Sequence, residues 1–112
     1  MLLSIAKSYL ALEETELGQA YLVRCLETSK DSRTTIAARL LLAGILYKNR
    51  NFSEAEAEYL KIIEENGENA EARYQLGELY ASIGDPTRAR AEWRRAIRID
   101  PAHGAARRRL NL

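Results

Sequence analysis

Apolar and small side chains recur along the chain at helical spacing. Leu76, Gly77 and Tyr80 stand at i, i+1 and i+4, which predicts a helix over about 71–83 with one packed stripe. Ala89, Trp93, Ala96 and Ile97 stand at i, i+4, i+7 and i+8 and mark a second helix. Between them lies Gly84-Asp85-Pro86. Glycine suits the left-handed position after a helix, aspartate the N-cap, and proline the first helical position, where its missing N–H costs nothing. Asp100-Pro101 ends the second helix and is expected to repeat the cap-then-proline device for a third, from His103 to the C-terminus.

The same pattern occurs one interval earlier. Ala55 and Ala89 are 34 residues apart, and in that register Leu42 meets Leu76, Ala43 meets Gly77 and Leu46 meets Tyr80. Arg50-Asn51 meets Gly84-Asp85, Tyr59 meets Trp93, and Ile62 meets Ala96, all without a gap. A period of this length signals a repeat architecture. In the earlier unit Asn51-Phe52 is expected to form the turn, Ser53-x-x-Glu56 to act as a capping box, and Gly67 to Asn69 to close the second helix. A looser unit precedes it, with Ile5, Ala6 and Tyr9 on one stripe and Tyr21, Leu22, Cys25 and Leu26 on another. Its Leu12–Gly18 connection reads as about three residues longer than the later ones. The resemblance of this pattern to a family of helical repeats implies helix contact at Ala20, Ala43, Ala55, Gly77, Ala89 and Ala96, with larger residues filling the gaps between hairpins.

Composition agrees with a helical reading. The 112 residues are 46% hydrophobic and 29% charged, with only 6 Gly and 2 Pro. That is too little punctuation for a many-stranded fold and too much apolar content for a disordered one. Net charge is +1, so no global field steers a partner. It is unevenly spread: from Ala70 onward nine Arg face five acids, for +4, leaving −3 over residues 1–69. One Cys allows no internal disulfide and one His assembles no metal site, so neither metal nor other cofactor is expected. No apolar run approaches a membrane span, and Met1-Leu2-Leu3-Ser4 lacks the flank and core of a signal peptide; a cytoplasmic setting is weakly favoured.

Candidate chemistry is sparse. Cys25 lies on an apolar stripe and reads as core, His103 reads as a surface residue, and Glu54, Glu56, Glu58, Glu64 and Glu65 read as a solvated helix face. Arg88, Arg90, Arg94, Arg95 and Arg98 give the last full hairpin a basic outer face. Without stacking aromatics, nucleic acid is disfavoured there. Complementarity to the acidic helix of residues 53–66, within or between molecules, is an equal or better reading.

Residues 70–80 (Ala-Glu-Ala-Arg-Tyr-Gln-Leu-Gly-Glu-Leu-Tyr), then Gly84-Asp85, Ala89, Trp93, Ala96 and Asp100-Pro101, closely resemble the tetratricopeptide repeat. Arg73 departs from the pattern where the family often has an aromatic. The resemblance implies an all-α, right-handed solenoid of about three helix hairpins plus a C-terminal capping helix. The units would be a divergent repeat over 1–35, repeats over 36–69 and 70–103, and a cap over 104–112. It also implies a non-enzymatic adaptor that receives a peptide or helix of another protein in a groove lined by the first helix of each hairpin. Leu41, Tyr47, Lys48, Tyr74, Gln75, Glu78 and Arg109 are the groove candidates, and the groove is expected to be mostly uncharged. Leu40 and Leu41 read alternatively as packing against the first unit. Some family members grip a chaperone's C-terminal carboxylate with Lys, Asn and Arg; here Leu40 and Gly44 stand at two of those positions and only Arg109 matches, which disfavours that ligand. A piece of a larger enzyme or regulatory protein is the rival reading, and homo-oligomerisation through exposed solenoid ends stays open.

Overall fold

A computed structural model describes residues 1–112. The chain is all α: α1 (Leu2–Ala11), α2 (Thr15–Thr28), α3 (Ser32–Lys48), α4 (Phe52–Glu65), α5 (Ala70–Ser82), α6 (Pro86–Ile99) and α7 (Gly104–Arg109). The helices form three hairpins followed by a short C-terminal helix. Two compact units divide the chain at Glu58/Tyr59, within α4.

In the first unit, Met1–Glu58, Ala6, Leu22, Cys25, Ala38, Ala43 and Ala55 are buried at the hairpin seams. Cys25 belongs to this core, as its apolar stripe predicts. The small residue of α2 is Gly18 rather than Ala20: Ala20 is exposed, whereas a Cβ on Gly18 would lie 2.6 Å from Leu10 Cδ2. Nor is the first connection longer than the others. Leu12–Glu14, Asn49–Asn51 and Ile83–Asp85 each join two helices in three residues. The extra length of the first interval lies instead in α3, which has 17 residues against 13 in α5.

All three turns use one device. Their middle residues, Glu13, Arg50 and Gly84, have φ of 62°, 64° and 84°. The residue after each donates its N–H back five positions: Glu14 to Tyr9 (2.8 Å), Asn51 to Leu46 (2.8 Å) and Asp85 to Tyr80 (2.9 Å). This is the Schellman closure, which satisfies carbonyls that a helix end leaves bare. Only Gly84 takes the left-handed conformation without steric cost. Asn51, not Ser53, precedes α4, since Ala55 N–H already donates to the Asn51 carbonyl at 3.0 Å. The expected capping box therefore begins inside the helix.

In the second unit, Tyr59–Leu112, Tyr59, Ile62, Leu76, Leu79, Trp93, Ala96 and Ala106 are buried. Asn69 caps α5 by accepting from Ala72 N–H (2.9 Å), and Asp85 caps α6 by accepting from Arg88 N–H (3.1 Å), with Pro86 opening that helix. Trp93 lies so close to Gly77 that a Cβ there would fall 2.5 Å from its Nε1. The second cap-then-proline device does not form. Asp100 turns its carboxylate to Ala102 N–H (3.2 Å), and α7 begins three residues after Pro101, capped by His103.

Candidate functional site

On α5, Glu71, Tyr74, Gln75 and Glu78 stand at i, i+3, i+4 and i+7, a single helix face. Helix α7 and its cap supply partners to Glu71 and Glu78, and α4 supplies one to Gln75. Tyr59 donates its hydroxyl to Gln75 Oε1 (2.7 Å), and Gln75 Nε2 donates to Glu71 Oε1 (2.9 Å). The other Glu71 oxygen lies 3.0 Å from His103 Nε2, while His103 Nδ1 accepts Ala106 N–H at 3.2 Å. An Nδ1 that accepts carries no proton, so the neutral ring holds its hydrogen on Nε2 and donates it to Glu71. His103 is thus a helix cap and a tether between helices rather than a bystander on the surface, and its ring also lies 5.0 Å from that of Tyr74.

Arg109 closes the other end of the face. Its Nε and Nη2 each reach a Glu78 oxygen at 2.7 Å, a bidentate pair, and its guanidinium sits 5.8 Å from the Trp93 ring centroid. The bond to Glu78 holds the Arg109 guanidinium still more firmly protonated. The Tyr74 phenol is pushed above its usual value, first by burial and then by the Glu78 charge, with Arg109 opposing. Tyr74, Ala105, Arg108 and Arg109 line an open cleft of about 270 Å³. Arg108 is exposed and makes no ion pair.

Four of the expected groove residues, Tyr74, Gln75, Glu78 and Arg109, therefore meet on one surface of the second unit. Their character differs from expectation. That part of the face is a hydrogen-bonded, charged network rather than a mostly uncharged one, and Glu78 and Arg109 neutralise each other. In the first unit Leu40 and Leu41 are half-buried, Lys48 is exposed in the last turn of α3, and Tyr47 packs edge-on to Phe52 at 5.6 Å. Gly44 faces open space, with nothing within 4 Å of a Cβ.

Sequence reasoning passed over two ion pairs, each across a hairpin. Arg39 Nη1 reaches Glu58 Oε1 at 2.9 Å in the first unit, and Arg73 Nη1 reaches Glu92 Oε1 at 3.2 Å in the second. Glu92, 6% exposed, also holds Arg95 at 2.6 Å. Both arginines and both glutamates are 34 residues apart, so the period itself carried the signal. The pairing explains why Arg73 stands where an aromatic was expected: it packs its stem and spends its charge on Glu92. No group of three His, Cys, Asp or Glu side chains could hold a metal ion, and no helix is long and apolar enough to cross a membrane.

Solved structures share this architecture. YrrB, a TPR protein with an unusual peptide-binding site, superposes over 99% of the chain with a TM-score of 0.84 and 25% identity. MamA does so over 94% (TM-score 0.81, 23% identity), and the first TPR of Spaghetti (RPAP3), bound to the HSP90 peptide SRMEEVD, over 98% (TM-score 0.86, 13% identity). The chain spans 56% of YrrB, 60% of MamA and 85% of the RPAP3 domain. No curated protein matches the sequence. A family model of the tetratricopeptide repeat matches residues 40–104, more than half of the chain and all of α4, α5 and α6. By that match and by its three hairpins, the protein belongs to the tetratricopeptide repeat family.

Proposed function

We propose that the chain is a non-enzymatic adaptor whose first-helix faces receive a peptide or helix of another protein. The observation that carries this reading is the open cleft of the second unit. There the half-buried Tyr74 ring, 5.0 Å from His103, stands beside the unpaired Arg108. A tyrosine held this way offers contact area at little entropic cost and a hydroxyl for hydrogen bonding, and arginine adds a fork of donors for peptide carbonyls or carboxylates. Glu78 and Arg109 hold that surface in shape through their bidentate pair, and Gln75 through its bonds to Tyr59 and Glu71. Leu41, Tyr47 and Lys48 are the candidates that α3 adds from the first unit. The peptide-binding site of YrrB and the peptide held by the RPAP3 domain support a ligand of the same class.

The test is selection from a displayed random-peptide library, followed by titration of the selected peptides. Tyr74→Ala with Arg108→Ala should weaken binding at least tenfold, about 1.4 kcal/mol, and Tyr47→Ala should weaken it less. Peptides that ignore the Tyr74/Arg108 variant but are lost in Arg94→Glu/Arg98→Glu would move the working surface to α6 and sink this reading.

A further inference from the structure

Helix α6 carries five exposed arginines, and the structure sorts them. Arg88 pairs with Asp85 (3.3 Å) and Arg95 with the buried Glu92 (2.6 Å). Arg90, Arg94 and Arg98 make no ion pair. These three stand at i, i+4 and i+8, a straight row rising about 6 Å per step. Like charges four apart on a helix oppose its formation. The repeat does not require them either, because the equivalent α4 positions hold Glu56, Leu60 and Glu64.

We infer that the Arg90–Arg94–Arg98 row is a second binding surface, one that takes an acidic helix of a partner protein with carboxylates at the same four-residue spacing. When two helices cross at about −50°, their i±4 rows run side by side, so three carboxylates on such a row meet three guanidiniums in register. Arginine suits this role because its planar fork binds a carboxylate bidentately. A single-stranded nucleic acid would need aromatic platforms as well as charge. Helix α6 has one aromatic, Trp93, which is 7% exposed and packed onto Gly77. The acidic helix is therefore the occupant that the surface fits.

The probe is a synthetic alanine-based helical peptide with Glu at i, i+4 and i+8, compared with a scrambled peptide of equal composition and with an oligo(dT) strand. Fluorescence anisotropy should show the in-register peptide binding several-fold tighter than the scrambled one, with affinity falling as salt rises. Arg90→Gln/Arg94→Gln/Arg98→Gln, with the helical circular dichroism unchanged, should weaken that binding at least tenfold. Charge reversal at the same positions to Glu should transfer binding to the peptide carrying Lys in place of Glu. Arg107→Gln on α7, outside the cleft, should leave the acidic peptide's affinity unchanged. No binding up to millimolar peptide, equal binding of the scrambled peptide, insensitivity to the triple variant, or tighter binding of oligo(dT) would each overturn the proposal.

Discussion

Gly44 and Gly77 stand in the first helices of consecutive hairpins, and the same substitution at each should move stability in opposite directions. In a helix interior alanine is favoured over glycine by about 1 kcal/mol, because glycine loses more backbone freedom on folding. At Gly44 nothing lies within 4 Å of the added Cβ, so Gly44→Ala should gain most of that amount. At Gly77 the Cβ would fall 2.5 Å from Trp93 Nε1, 2.6 Å from Cδ1 and 3.1 Å from the Ala89 carbonyl oxygen. A buried indole ring with the Arg109 guanidinium 5.8 Å away cannot retreat without repacking α6 and α7. Overpacking of this kind costs about 2–3 kcal/mol. Subtracting the helical gain leaves Gly77→Ala less stable by about 1–2 kcal/mol. Urea unfolding followed by circular dichroism should place the two midpoints on opposite sides of wild type, and thermal midpoints should differ by roughly 10 °C. If Gly77→Ala is as stable as wild type or more so, the close approach of Trp93 to α5 is wrong.

Three further outcomes follow from the turns, the ion pairs and the cleft. Glu13→Gly should raise stability by about 0.5–1 kcal/mol, because Glu13 holds φ at 62° where Gly84 serves the third hairpin; an unchanged urea midpoint would argue against a left-handed turn there. Glu92→Leu should cost about 3 kcal/mol by stranding Arg73, whereas Arg73→Met/Glu92→Leu should recover most of it; a double variant no better than the single would show that the pair is not the unit of stability. Ultraviolet titration of wild type minus Tyr74→Phe should isolate a phenol with a midpoint above 10, since burial and Glu78 both disfavour its anion; a midpoint at or below 10 would contradict the packing of α7 over Tyr74.

What the sequence determined by itself is whatever depends on spacing. Helical periodicity, small residues at fixed offsets and the Gly84-Asp85-Pro86 junction specify helices, turns and seams through local backbone preference and the 3.6-residue repeat, so the hairpins and the burial of Trp93 and Cys25 were legible. Ala20 and Gly18 show where that logic ends. Both are small residues on α2, and only the packing of Leu10 selects Gly18 as the close contact. The turns at Glu13 and Arg50 were hidden for a related reason: closure of each hairpin imposes a left-handed residue even where no glycine announces it. Among the candidate site residues, the periodicity placed Tyr74, Gln75 and Glu78 on one face of α5, but the neighbours of Tyr74 and Glu78 come from α7 and its cap, and that of Gln75 from α4. His103 and Arg109 lie about thirty residues along the chain, and only tertiary packing brings them to Glu71 and Glu78. Charge is read from the sequence one residue at a time, whereas which charges cancel is a property of distance. That is why Arg73, Glu92 and Arg109 are paired within the chain while Arg90, Arg94, Arg98 and Arg108 keep unpaired charges turned to solvent.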